Sequence, residues 1–213
     1  MNLETLENRI TPASIQISKS DLIIRDNIAL NIYSINQNMI NVNGVNYNVP
    51  NTVKNIVVYG SSYNDSINLK NSGKVCFTDG GDGNDTITGS SYNDLLWGGR
   101  GNDSINGDAG NDQLSGGPGN DTIKGNLGND SIYGDAGEDK LFGEDGNDYI
   151  VGGNGWDLIV GGKGVDTLSA YDCNLCNWYD EVWTDDIGVR TSVFSDLVGF
   201  NRGLDWINGN KTR

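Results

Sequence analysis

From Gly80 the chain reads GGDGNDTIT (80–88), GSSYNDLLW (89–97), GGRGNDSIN (98–106), GDAGNDQLS (107–115), GGPGNDTIK (116–124), GNLGNDSIY (125–133), GDAGEDKLF (134–142), GEDGNDYIV (143–151), GGNGWDLIV (152–160) and GGKGVDTLS (161–169). These are ten nonapeptides laid end to end with no insertion and no deletion. Position 1 is Gly and position 6 is Asp in all ten; position 8 is Ile or Leu in all ten. Position 4 is Gly in nine, with Tyr92 the exception. Composition alone does not hold three positions in register ten times running, so the period is structural.

Each unit has a Gly-rich half and a short half with one large apolar side chain. Gly at positions 1 and 4 permits positive φ, so sharp chain reversals are expected at both. Positions 7–9 alternate outward, inward, outward, as a short strand does. The inward column is Ile87, Leu96, Ile105, Leu114, Ile123, Ile132, Leu141, Ile150, Ile159 and Leu168. One repeat cannot bury such a residue alone, whereas a stack makes a continuous core. Two nonapeptides make a flattened turn of 18 residues, so ten repeats give about five turns and a stack roughly 24 Å long. The expected class is all-β, a parallel β-roll (β-solenoid).

The chemistry lies in position 6. An 18-residue turn divides the aspartates into two columns: Asp85, Asp103, Asp121, Asp139 and Asp157 on one side, Asp94, Asp112, Asp130, Asp148 and Asp166 on the other. Like charges one strand spacing apart repel, and a hard cation between successive loops reverses the sign. Calcium accepts six to eight oxygens in flexible geometry. The loops offer carboxylates beside backbone carbonyls at Gly80 and Gly83, Gly98 and Gly101, Gly107 and Gly110, Gly116 and Gly119, and Gly125 and Gly128. Gly134 and Gly137, Gly143 and Gly146, Gly152 and Gly155, and Gly161 and Gly164 continue the series. Magnesium demands tighter octahedral geometry, and loops without His or Cys do not suit transition metals. The alternative is that Asn at position 5 and Asp at position 6 form a metal-free ladder of turn hydrogen bonds. It weighs most at loop 89–94, where Ser90 and Tyr92 replace both internal glycines and Tyr tolerates positive φ poorly.

The array resembles the repeats-in-toxin (RTX, haemolysin-type) calcium-binding repeats, whose pattern is G-G-x-G-x-D-x-U-x with U a large apolar residue. The resemblance implies a calcium-loaded parallel β-roll. It also implies export, usually by type I secretion with an uncleaved C-terminal signal, and hence an extracellular or cell-surface location.

Asp and Glu number 29 against 14 Lys and Arg, a net charge of −15. Such a chain lacks the basic face that a nucleic-acid partner requires. Five loops per side leave four gaps, so up to about eight calcium ions are expected, whose charge would nearly cancel that of the protein. No apolar run is long enough for a transmembrane helix, and no charged n-region precedes an apolar h-region. LENRITPA, from Leu6, resembles an LExRxxP element of some secreted bacterial proteins and reads equally as a linker. Cys173 and Cys176 form a C-x-x-C pair with Cys76 left over; without a second pair or any His, inert thiols or a local disulfide are the readings.

Outside the array, residues 1–13 read as a polar leader. Residues 14–79 are expected to be a β-rich N-terminal cap that covers the open end of the stack. Asn43-Gly44 between alternating runs is a hairpin signal. GSSYNDSIN at 60–68 is a degenerate repeat sharing its first six residues with 89–94, and its Asp65 is expected to stand over Asp85. Residues 170–213 are expected to cap the other end, with one short amphipathic helix over 173–183 and a returning repeat-like unit around Gly203, Asp205 and Ile207. Trp178, Tyr179, Trp183 and Trp206 suit cap packing; a glycan site is the other reading.

The expected function is a secreted calcium-binding β-roll that folds on binding calcium and serves as a structural or binding module. No enzyme is expected. The chain has no His, hence no HExxH site and no Ser-His-Asp triad, and no G-x-S-x-G elbow. The alternative is a calcium-dependent adhesin with a protein or glycan partner, suggested by the apolar outer residues Phe142, Tyr149, Val151, Leu158 and Val160; the plainer reading of those residues, which is preferred, is that they face the C-terminal helix. Position 3 holds no aligned Thr column, which sets ice binding aside.

Overall fold

The computed structural model describes residues 14–25, 31–169 and 181–183. Among them the regular structure is entirely β. The strands begin with β1 (Ser14–Ser18), β2 (Asp21–Arg25), β3 (Asn31–Asn36), β4 (Met39–Val42) and β5 (Val45–Asn48). Then come β6 (Asn55–Ser61), β7 (Ser66–Asn68), β8 (Val75–Asp82), β9 (Thr86–Thr88) and β10 (Leu95–Arg100). Next are β11 (Ser104–Ala109), β12 (Gln113–Pro118), β13 (Thr122–Leu127), β14 (Ser131–Ala136) and β15 (Lys140–Asp145). The last are β16 (Tyr149–Asn154), β17 (Leu158–Lys163), β18 (Thr167–Ser169) and β19 (Glu181–Trp183).

Two sheets face each other across one core. The first runs β1-β2-β6-β8-β10-β12-β14-β16-β18, the second β19-β17-β15-β13-β11-β9-β7-β3-β4-β5. The chain alternates between them, so consecutive repeats lie on opposite sheets and neighbours within a sheet are a full turn apart. The register sets the turn: Leu96 pairs with Leu114 and Ile105 with Ile123, each parallel and eighteen residues on. This is the expected parallel β-solenoid.

The parallel stack starts before Gly80. β2 pairs parallel with β6, and β3 with β7. Antiparallel pairing closes this end: β1 lies on β2, and β4 and β5 extend the second sheet beyond β3. Val42 pairs with Val45 across Asn43 and Gly44, whose φ values are 49° and 84°. Two positive φ angles in a two-residue loop make the expected type I′ hairpin turn.

The core is the position-8 column, Ile87 to Leu168, each at most 1% exposed. At the N-terminal end the core is denser, with Leu22, Ile24, Ile32, Ile40, Val42, Val53, Ile56, Val58, Ile67 and Leu69 all buried. Cys76 is buried among them as a free thiol, and burial together with the Asp94 charge raises its pKa well above the usual thiol value.

Two local expectations change. Most array strands run six residues, from position 7 through position 3 of the next repeat, not three. Their burial alternates, so both the position-8 side chain and the following position-1 Gly face inward. Positive φ falls at positions 2 and 4, not 1 and 4: Gly99 is at 107° and Gly101 at 130°, whereas no position-1 Gly has positive φ. Position 2 keeps this conformation even where it is Asp108, Asn126, Asp135 or Glu144, at 74–77°. Position 1 is Gly for a different reason, given below. The helix expected over 173–183 lies outside the described residues except for its last three, which form β19, pairing Val182 with Ile159. The leader, the C-x-x-C pair and the repeat-like unit near Asp205 also lie outside them.

Candidate metal centre

The position-6 aspartates sit where the chain passes from one sheet to the other, at the end of each three-residue turn between strands. All ten are buried, although they are charged residues. The two expected columns are present. The Asp85 N–H donates to Oδ1 of Asp103, Asp103 to Asp121, Asp121 to Asp139 and Asp139 to Asp157, at 2.7–2.9 Å. On the opposite side Asp94 donates to Asp112, Asp112 to Asp130, Asp130 to Asp148 and Asp148 to Asp166. Asp65 stands over Asp85 as expected, its N–H donating to Asp85 Oδ1 at 2.7 Å. The second column starts at Cys76, whose N–H donates to Asp94 Oδ1 at 2.7 Å.

A second ladder runs beside it in the other direction. Asn84 Oδ1 accepts the N–H of Asn102, and Asn102 that of Asn120. Asn93 serves Asn111, and Asn111 serves Asn129, in the same way. Each Asn therefore satisfies the following turn and each Asp the preceding one. The metal-free ladder weighed from sequence is present, but it uses only one carboxylate oxygen of each Asp. The other oxygen, Oδ2, is buried with no hydrogen-bond partner in Asp85, Asp103, Asp112, Asp121, Asp130, Asp139 and Asp148. A buried carboxylate oxygen without a donor costs several kcal/mol unless something cationic compensates it.

The position-1 glycines line the same spot. A Cβ on Gly98 would fall against Asp103 Oδ2 and 2.7 Å from the carbonyl oxygen of Gly116. The same holds at Gly107, whose added Cβ would meet Asp112 Oδ2 and the Gly125 carbonyl. Position 1 is therefore Gly because a methyl group would fill the space between a carboxylate and a carbonyl. At position 4 the added atom would strike the carbonyl of the preceding turn, Gly83 for Gly101 and Gly101 for Gly119. At position 1 the loops thus bring Oδ2 and a backbone carbonyl of the next turn to the same spot, as an oxygen-coordinated cation requires. Among the described residues no three acidic or thiol side chains converge. A cation here would take most of its oxygens from the backbone and water, which calcium accepts.

The protonation energetics agree. Burial raises the carboxyl pKa to about 8 at Asp112 and Asp139, and to about 7 at Asp85, Asp121 and Asp148. Backbone N–H donors oppose the rise, and neighbouring aspartates of the column add to it. Asp103 and Asp130 are also raised by burial. Asp94 reaches only about 6, because Ser90 donates to it.

Sequence reasoning placed the Asp columns and weighed an Asn and Asp ladder, whose signal was Asn at position 5 in seven of ten repeats, but set it against the metal rather than beside it, and did not give the opposite directions of the two ladders. The apolar outer residues do not form one patch. Phe142, Leu158 and Val160 lie on β15 and β17 of one sheet, and Tyr149 and Val151 on β16 of the other.

Residues 79–114, 107–141, 115–150 and 133–168 each match the RTX calcium-binding nonapeptide repeat family. The segment 79–168 is therefore an array of RTX calcium-binding repeats. Comparison with curated proteins found no match.

Proposed function

We propose that this RTX β-solenoid is a secreted structural or binding module whose array binds several calcium ions and folds on binding them. The ligands are Oδ2 of the position-6 aspartates together with carbonyl oxygens of the position-1 and position-4 glycines. The observation that carries this reading is the set of buried Oδ2 atoms without donors, repeated every 18 residues down both columns. Calcium supplies the positive charge that offsets the columns' mutual repulsion. The chain's own part is to hold Oδ2 away from water and to fix its orientation through the Oδ1 ladder.

An extracellular location is part of this reading. Sites of this kind in extracellular modules bind with Kd of ~10⁻⁴–10⁻³ M, so they fill at millimolar calcium and stay empty in a cell interior. The reading is of a non-catalytic module. Adhesion through an apolar outer patch has less support, because the residues that suggested it are divided between two opposite faces. Isothermal titration of the full chain with calcium, with magnesium as control, tests the reading. Several calcium ions bound per chain with no comparable magnesium binding is the expected result. No calcium binding at ten millimolar would refute it.

A further inference from the structure

Two loops carry the same six residues, Gly-Ser-Ser-Tyr-Asn-Asp, at 60–65 and 89–94. Both close their aspartate with hydrogen bonds from within the loop. The Ser90 N–H donates to Asp94 Oδ2 at 2.5 Å, and its hydroxyl to Oδ1 at 3.1 Å. The Ser61 N–H donates to Asp65 Oδ2 at 2.7 Å, and its hydroxyl reaches both carboxylate oxygens at 3.1 and 3.2 Å. In each loop the serine hydroxyl accepts the N–H of the tyrosine two residues on, at 3.1 Å. No residue of either loop has positive φ, in contrast to positions 2 and 4 of the other nonapeptides. The Ser N–H is therefore turned onto the carboxylate.

These loops do not fit calcium. Where the loops of Asp85, Asp103, Asp112, Asp121, Asp130, Asp139 and Asp148 leave Oδ2 without a donor, these give it a backbone N–H, and at Asp65 the serine hydroxyl as well, whose positive ends face the place a cation would take. A hydrogen-bonded carboxylate of this kind needs no metal to be buried. A second, independent observation concerns the same end of the molecule. From Leu22 to Leu69 the core contains many buried apolar side chains per turn, including Ile24, Ile40, Ile56 and Val58. The array has one per nonapeptide. The N-terminal turns thus have an apolar core and two metal-free loops, which flank the array-type loop at Asp85, whose Oδ2 has no donor; the array beyond Asp94 has neither.

We propose that Ser61 and Ser90 stand in for the cation in these two loops, so that the strands from β2 to β10, loop 80–85 excepted, form a calcium-independent platform on which the calcium-requiring turns assemble. The parallel edges of that platform, β10 in the first sheet and β9 in the second, then template the first array turn, β11 and β12. Formation of the remaining turns starts from an existing edge, which removes the cost of nucleating a new one. The platform rests on the calcium-coupled reading above for its contrast with the rest of the array.

The test is hydrogen–deuterium exchange of the full chain in EDTA and in ten millimolar calcium. In EDTA, amides of 55–79 and 86–96 are expected to remain protected at least about 100-fold over those of 101–166; in calcium all are protected. Fast exchange of both regions in EDTA overturns the platform and leaves calcium-coupled folding standing. Slow exchange of both overturns calcium-coupled folding and, with it, the platform as a separate unit. A gain-of-site variant tests the serines directly. Ser90→Gly with Tyr92→Gly restores the array pattern at 89–94, and is expected to add one calcium ion per chain while lowering protection of 86–96 in EDTA. Unchanged stoichiometry and unchanged protection would overturn the role of the serine. Should that variant fail to fold, Ser90→Ala, which keeps the backbone, is expected to lower the same protection about tenfold; no change would again overturn it.

Discussion

The backbone N–H of Asp103 donates to Oδ1 of Asp121 at 2.7 Å, and Oδ2 of Asp121 is buried without a donor. One side chain thus joins two turns through one oxygen and leaves the other for a cation. Asp121→Asn keeps an acceptor for the ladder but places an amide where Oδ2 was. Loss of one charged ligand interaction, worth about 1.5–3 kcal/mol, is expected to raise the calcium midpoint roughly tenfold or more. Pairing decides whether the effects couple. Asp121→Asn with Asp139→Asn, neighbours in one column, is expected to be non-additive. Asp121→Asn with Asp130→Asn, on opposite sides, is expected to be additive. Equal coupling in the two pairs would contradict the 18-residue turn.

Gly116 and Gly117 are adjacent but are glycine for different reasons. A Cβ on Gly116 would fall against Asp121 Oδ2, and Gly116 has no positive φ. Gly117 has φ 100°, in the left-handed region that Asn126 and Asp108 occupy at 76° and 77° at the same position, and a Cβ on it would meet the Gly99 carbonyl rather than a carboxylate. Gly116→Ala is therefore expected to weaken calcium binding strongly with little effect on backbone strain. Gly117→Asn is expected to leave calcium binding nearly unchanged and to cost about 1–2 kcal/mol of backbone strain. Calorimetric stoichiometry and thermal melts of the two variants in calcium decide it; similar losses in both would remove the steric account of position 1.

Position 4 combines both constraints. Gly119 has φ 149°, and a side chain there would strike the Gly101 carbonyl. Gly119→Val is expected to weaken calcium binding far more than Lys124→Val, whose side chain faces outward on β13, since the strain alone is ~1–3 kcal/mol. Equal calcium affinity in the two variants would remove the turn argument.

The raised carboxyl pKa values give the metal-free roll a pH dependence of unusual sign. An unfolded Asp titrates near 3.9, whereas Asp112 and Asp139 titrate at about 8 in the metal-free fold. Between those values the folded state binds more protons than the unfolded one, so stability falls as pH rises. Without calcium, β-structure in the array is expected to increase as pH is lowered from 8 to 5, followed by circular dichroism in EDTA. Calcium displaces those protons, so its apparent affinity is expected to fall over the same range, with proton release visible by calorimetry in buffers of different ionisation enthalpy. Less structure at pH 5 than at pH 8 in EDTA would overturn this.

The fold was legible because its determinants repeat. A period of nine with Ile or Leu at position 8 specifies the inward column, and two such units specify the turn, which places Asp103 and Asp121 together. Backbone detail was less legible. Gly at position 1 and Gly at position 4 look alike in a sequence, yet one avoids a carboxylate and the other adopts positive φ. Position 2, at 74–77° in Asp108, Asn126, Asp135 and Glu144, carried no consistent glycine to mark it. The exception at 89–94 was visible as a sequence anomaly, but only the hydrogen bonds from Ser90 to Asp94 show what replaces the glycines.

Calcium binding and folding of residues 98–166 are expected to be one equilibrium. The core there is thin, with a single Ile or Leu per nine residues, and the loops are rich in Gly, which is costly to order. Without metal the buried Asp columns add desolvation and mutual repulsion to that entropy. Calcium binds stacked loops and not the open chain, so each site adds RT ln(1 + [Ca]/Kd), about 1.4 kcal/mol at ten times Kd. Several sites together exceed the few kcal/mol at issue for a domain of this size. Each ion ties two turns, so the transition is expected to be steep. Far-ultraviolet circular dichroism and hydrodynamic radius, followed from micromolar to ten millimolar calcium, are expected to rise and contract together with one midpoint, while magnesium leaves both unchanged. A chain already compact and fully β-structured in excess EDTA at neutral pH would show that the Asn and Asp ladders suffice, and that the buried Oδ2 atoms are tolerated without a cation.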